Sequence, residues 1–487
     1  MAGPVIVLEF NELTPTLMDR FIGEGSLPAF ERLRRESIVC VSDAEEPPPF
    51  LEPWVQWVTV HTGLSRAEHG VVDLDDGPKL RAPRVWDLVS EAGKKVWVCG
   101  SMNAAIQADG FRGLFLPDPW TTSAEPHPRE LFRPYYHFVR SYVQEYTRDK
   151  PPLSKADYLR FARFMATNGL APKTVADTVR QLASERGSSG ARWQRAAILD
   201  RLQWDVFCHH YRKLKPALAT FFLNSTAHYQ HYYWRNLDPD RFLLRPSEEE
   251  QGRYAEAIRF GYRKMDEIVR DCLDLAGPDT TIVFCSALGQ QPMSNYDAGS
   301  GKQHFKPTVP AALTRFAGIE APHTYEPVMA ENFHLHFESQ AAAEAAQSKL
   351  LALRMDNGAR VLDVQREGPR LTVGCIVIVK PPAEATVSAP GSNEGAAFYD
   401  LFYEATGLKS GMHHPDGILW IRTPERVHVE VERKVSLREV APTLLTLCGV
   451  DAPPGRFAFP AMPELTDGRP AGRSAPALSR PPVPAVT

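Results

Sequence analysis

Short apolar runs alternate with amphipathic stretches along most of this chain. Val5-Ile6-Val7-Leu8 leads into Glu9 and Phe10 and reads as a buried strand. Thr14 followed by Pro15 then opens a helix, because Thr can cap and Pro is pre-organised for the first turn. Val85 to Val89 gives a helix and Val96 to Cys99 a strand after Gly93. Ala217 to Leu223 and Thr280 to Cys285 are the next strands, with a helical stretch around Tyr262 and Asp266 between them. Strand following helix in this way predicts an α/β fold, a mostly parallel, doubly wound sheet with helices on both faces. Val5–Phe10, Val96–Cys99, Leu218–Leu223 and Thr281–Cys285 should lie in that one sheet.

Two stretches depart from the alternation. Residues 118–215 carry a helical period and predict a cap inserted between sheet strands. Within it Ser154 and Asp157 have capping-box spacing, and Tyr158, Phe161, Ala162 and Met165 fall on one predicted face. Residues 325–395 suggest a small inserted α+β lobe. Phe333, Leu335 and Phe337 alternate with His334 and His336, the Ala-rich run from Gln340 is helical, and two strands follow at Val361 to Val364 and Leu371 to Val379. His334 and His336 are expected to face solvent, since no Cys, Asp or further His clusters with them in sequence. The remaining segments, 1–117, 216–315 and 398–462, are expected to build the core. Residues 465–487, rich in Pro, Ala, Gly and Arg without a period, are expected to be a disordered tail.

Composition narrows the classes. The chain has 487 residues, a hydrophobic fraction of 43%, a charged fraction of 23% and a formal net charge of -4. That balance suits a globular protein and offers no cationic footprint for nucleic acid. No apolar run approaches the roughly 20 residues that span a bilayer, so no membrane association is expected. Seven widely spaced cysteines form no CxxC pair. With no basic n-region before Val5, they point to a reducing, cytoplasmic setting.

Several motifs together resemble the alkaline phosphatase superfamily, in its type I phosphodiesterase and nucleotide pyrophosphatase branch. FLEPWVQWVTVHTGLSRAEHGVV, from Phe50 to Val72, resembles the family's nucleophile helix through Trp57, Thr62-Gly63-Leu64 and His69-Gly70. NSTAHYQHYYW, from Asn224 to Trp234, resembles a metal-binding segment. GMHHPDG, from Gly411 to Gly417, resembles the segment with a metal-binding His before Pro-Asp-Gly, and Val435 to Val450 resembles the closing helix. The resemblance implies two metals clamping the attacking and leaving oxygens of a phosphoester.

It also implies which positions should do this, and most have changed. The strand-ending Asp is Asn11, and the nucleophile position falls on Pro53 beside Glu52. Asp43 to Val58 contains no Ser, Thr or Cys. The Asp before the metal-binding His is Ala227, and the Asp-His pair after the fourth strand is Ala287-Leu288. His231 and His413 remain. The expectation is therefore no cofactor, or one weakly held divalent metal on His231 and His413, with His228, His414 or Glu52 as a third ligand.

Two functional readings stay open. In one, His231, His413 and Glu52 perform altered acid–base chemistry on a small-molecule substrate, with Asn11, Gln230, Tyr233, Trp234, His228 and His414 lining the ligand site. In the other, the chain is a non-catalytic relative that binds a small molecule or acts as a scaffold.

Overall fold

The computed structural model describes residues 3–107, 109–121, 123–143, 153–187, 189–294, 302–327, 332–389 and 395–466. Its centre is a nine-stranded sheet. Strands β1 (Val5–Phe10), β2 (Ile38–Asp43), β3 (Val96–Cys99), β4 (Gly113–Leu116), β5 (Leu218–Leu223) and β6 (Thr281–Ser286) form most of it. From one edge inward, β4, β3, β5, β1 and β6 run parallel. Asp416–Arg422 then runs antiparallel between β6 and β2, with the short strands Val429–Glu430 and Val435–Ser436 beside β2. All four strands expected to share a sheet do so.

The two faces of β1 explain its unbroken apolar run. Ile6, Leu8 and Phe10 enter one hydrophobic core, and Val5 and Val7 enter the other on the opposite face. A strand covered by helices on both faces has no side to leave polar. Glu9 shares the Val5 face and is buried too. It is met by His61 of the helix Pro53–Thr62, whose Nε2 lies 3.0 Å from Glu9 Oε1. The Ser101 hydroxyl donates to the other carboxylate oxygen at 2.6 Å. That helix is apolar nearly all round and buried from Val55 to Thr62, and it ends at Gly63 in the left-handed region with φ 68°.

The helices Arg129–Val143, Lys155–Thr167, Pro172–Gly187 and Ala196–Leu214 occupy the region expected to be helical. The Ser154 cap forms, its hydroxyl accepting from the Asp157 N–H at 3.2 Å. The buried face is rotated from the expected one. Phe164 and Met165 are covered while Ala162 is exposed and Tyr158 is 47% exposed. Phe164 reaches Tyr135 and Phe132 of the preceding helix, and a large ring outcompetes a methyl for that contact.

The lobe has its own core around Phe333, Leu335, Leu350 and Val373. Its four-stranded antiparallel sheet runs Leu362–Glu367, Arg370–Cys375, Asn332–Phe337, His323–Pro327. The strand His323–Pro327 is polar enough to have been passed over in the sequence, and the strand expected to reach Val379 ends at Cys375. His334 is buried rather than solvent-facing, because its end of the strand lines the cleft that the lobe shares with the core. All seven cysteines are buried and unbridged. No helix among the described residues is long and apolar enough to cross a membrane. The disordered tail expected beyond Asp467 lies outside the described residues, while Pro463–Thr466 is a short helix.

Candidate functional site

Loops leaving the carboxyl ends of β1, β5 and β6 converge, as ligand sites do in open parallel sheets. Asn11 and Glu12 follow β1, Asn224 follows β5, and Gln290 follows β6. Asn11 is fixed from three sides. Its amide donates to Asn224 Oδ1 at 2.7 Å and to Glu12 Oε1 at 2.8 Å, and its oxygen accepts the Trp57 indole N–H at 2.8 Å. Glu12, one residue on, has φ 61°. A left-handed conformation costs a non-glycine residue roughly 1–2 kcal/mol. Here it turns a buried carboxylate back over the strand ends.

Three nitrogens aim at one oxygen of that carboxylate. His231 Nε2 lies 3.0 Å from Glu12 Oε2 and His413 Nε2 lies 3.5 Å from it, and Gln290 Nε2 donates to the same atom. The other nitrogen of each imidazole is also engaged. His231 Nδ1 is 3.3 Å from the Gly411 carbonyl, and His413 Nδ1 is 3.5 Å from Glu52 Oε2. Both rings therefore present Nε2 inward. His413 owes its place to a two-stranded ribbon, Gly289–Pro292 with Gly411–His414, which sets it opposite Gln290. The ribbon lies tight on the helix Ser225–Leu237. A Cβ at Gly411 would meet the Gln230 carbonyl at 2.3 Å, so only glycine fits there.

The charges divide within the cluster. Burial alone would raise the Glu12 carboxyl, but the two imidazoles hold it well below the usual carboxylate range. Burial, helped by Lys409, pushes His231 down to about 4. His413 goes the other way: burial opposes its charge, yet Glu12 and Glu52 together raise it. Glu12 and His413 thus favour their charged forms together.

The three side chains offer ligand atoms that all lie within 4.8 Å of one another. Two inward imidazole nitrogens and a carboxylate are the donor set of a three-ligand catalytic zinc site. Each imidazole is backed by an acceptor on its far nitrogen, as metal-bound histidines usually are. The residues present fit a single divalent ion.

The family described as type I phosphodiesterase / nucleotide pyrophosphatase matches residues 5–367. The chain belongs to that family. Among curated proteins no relative matches it. Solved structures similar to it include phosphonoacetate hydrolase from Sinorhizobium meliloti 1021, at 13% identity and TM-score 0.42, covering 93% of this chain and 96% of that one. Murine ectonucleotide pyrophosphatase / phosphodiesterase 5 aligns at 12% identity and TM-score 0.42, with the same coverage. The alkaline phosphatase PafA aligns at 11% identity and TM-score 0.44, covering 94% and 98%.

Of the site residues expected from the sequence, the structure brings His231, His413, Glu52 and Asn11 together. Glu12 was missed, although it sits beside Asn11 at the end of the first strand. His228 lines the same cleft and is exposed within it. Gln230 does not reach the cleft wall. It donates to the Glu12 carbonyl at 2.6 Å and accepts from the Tyr262 hydroxyl at 2.9 Å, which holds the turn from beneath. Tyr233 stacks on Tyr254 at 4.7 Å, and Trp234 is buried against Gly411. Both are packing residues rather than ligand contacts. His414 projects from the opposite side of its strand from His413, and its Nδ1 accepts the Asp416 N–H at 3.1 Å. Ala287 and Leu288 are wholly buried in the apolar core.

The cleft around the cluster holds about 1460 Å³. Phe50, Trp54, Trp120 and Phe222 supply apolar wall, and the lobe adds Gln365, Arg370 and Thr372. Arg370 Nη1 reaches Asp73 of the core at 2.9 Å. Asp200 also lines the cleft. Burial pushes its carboxyl up to about 7, against the pull of the Ser225 hydroxyl bond. A raised carboxyl favours the fold while protonated, so its contribution is complete below the ordinary carboxylate range and disappears as pH rises through about 7. Asp200→Asn should therefore gain stability relative to the parent between pH 4 and 7, by at most about 4 kcal/mol. Parallel urea titrations across that range would show it, and a pH-independent difference would refute the assignment.

Proposed function

We propose that this protein is a small-molecule hydrolase that works with one divalent ion on Glu12, His231 and His413 in place of the family's pair. The convergence of His231 Nε2 and His413 Nε2 on Glu12 Oε2 is the observation that carries this reading. A bound ion there would supply Lewis-acid polarisation and a water of lowered pKa. Glu52 orients His413 through Nδ1, and the Gly411 carbonyl orients His231. Asn11 and Gln290 fix the Glu12 carboxylate. Asp200 can hold a proton near neutrality at the wall of the same cleft.

Pro53 starts the helix where the family's alcohol should stand, which supports attack by water rather than by a side chain. Ala287 and Leu288 in the core support the loss of the second ion. The cleft has a broad aromatic wall and carries acidic as well as basic groups. A phosphodiester with an apolar substituent suits it better than a phosphate monoester of high charge. The compartment best matched by seven buried free thiols is the cytoplasm.

Turnover of bis(4-nitrophenyl) phosphate after reconstitution with zinc or manganese tests the reading. Activity should disappear in His231→Ala and in His413→Ala, while both variants keep the parent circular-dichroism spectrum. These positions lie at a cleft, so their loss should cost little stability. Activity that survives both substitutions would remove the case for this site. No turnover of any phosphoester by the metal-loaded parent would leave the non-catalytic binding protein as the reading.

A further inference from the structure

Outside this cluster, one other group of side chains in the described residues is arranged to hold a metal. It lies in the lobe. His334 and His336 sit two apart on the strand Asn332–Phe337 and so share a face. Glu326 is the direct cross-strand partner of His334 on the neighbouring antiparallel strand. Neighbours in this relation have Cβ atoms about 5 Å apart, close enough for side chains to meet over one point.

They do meet. His336 Nε2 lies 2.7 Å and His334 Nδ1 lies 3.4 Å from the same oxygen, Glu326 Oε2. The three ligand atoms fall within 4.8 Å of one another. The cluster is not satisfied by these contacts alone. Two imidazoles share one carboxylate oxygen, and the second nitrogen of His334, whose side chain is 5% exposed, has no partner among the described residues. An isolated ion pair would have no reason to bury a histidine with one nitrogen idle, since an unpaired buried polar atom costs about 1–3 kcal/mol.

We infer that Glu326, His334 and His336 form a second divalent-metal site, for an ion of zinc-like softness, on the lobe. Two imidazole nitrogens and one carboxylate oxygen suit zinc, cobalt or nickel better than calcium or magnesium. Three protein ligands leave a coordination position open. His336 is 41% exposed, which gives the ion a way in. His334 lines the same cleft as Glu12, so the open position is available to a group of a bound ligand. The site does not depend on the reading of the first cluster.

The full-length His231→Ala/His413→Ala chain isolates the lobe site. Equilibrium dialysis against zinc should give one equivalent bound, and zinc should raise the melting temperature. Adding Glu326→Gln or His336→Ala should weaken that binding more than tenfold and remove the thermal shift. Both positions are partly exposed, so these variants should fold, and an unchanged melting temperature without zinc would verify it. Absence of zinc binding by the double variant would overturn the site. So would binding that neither added substitution weakens, because the ion would then sit elsewhere.

Discussion

Glu12→Gln is expected to lose zinc affinity at the first cluster by more than the roughly 10–100-fold that removal of an outer partner costs. The substitution keeps the size and, with its oxygen toward Asn11, the bond from that amide, but it turns an N–H toward Gln290 and the two imidazoles, so both the charge and the acceptor they face are lost. Two neutral nitrogens with an amide oxygen hold zinc far less well than two nitrogens with a carboxylate. Glu52→Gln gives the internal comparison. Its carboxylate touches His413 on the far nitrogen, so its loss should stay within the 10–100-fold range. Calorimetric zinc titrations of both variants in a His336→Ala background would separate the two effects from binding to the lobe. Equal losses at Glu12 and Glu52 would mean that Glu12 is not a ligand.

The largest stability effect is expected beneath the site, at Glu9 and His61. Both side chains are about 98–99% buried, and Glu9 accepts from His61 and from Ser101. Ser101 is 2.8 Å from Thr220 Oγ1, so the network crosses from the helix Pro53–Thr62 through β1 to β5. Removing one member leaves a carboxylate or an imidazole inside an apolar core with its partner gone. His61→Leu should cost about 3–5 kcal/mol, the usual consequence of breaking a buried pair. Replacing both members with apolar residues of similar volume should cost less than the two single changes together. Urea unfolding of the two single variants and the double variant would measure this. A single-variant cost below about 1 kcal/mol would show that water reaches the pair.

Local pattern was enough to specify four of the nine strands of the central sheet and the lobe's helix. The apolar runs at Val5, Val96, Leu218 and Thr281 can only be buried strands, because each is too short for a helix of the core and is bounded by turn residues. Buried on both faces, they had to be central, and parallel order followed from the helices between them. The family resemblance, not the local pattern, singled out His231 and His413. It could not see that Glu12 joins them, because that depends on one backbone angle. At φ 61° the Glu12 carboxylate turns into the cleft; at an ordinary negative φ the same residue would point elsewhere. Residues 278 and 401 positions away, Gln290 and His413, then meet it through a ribbon that no local pattern announces. Tyr233 and Trp234 fail in the opposite sense. Their place beside His231 in sequence suggested a ligand wall, but a helix turns successive residues by about 100°, and theirs face the core. His334 was legible as a strand residue and not as a buried one, since its burial comes from the cleft between lobe and core, which no local pattern shows. Residue types and short-range periods decided the fold. Which of those residues share a point in space was decided only by the long-range packing that brings separate strand ends together.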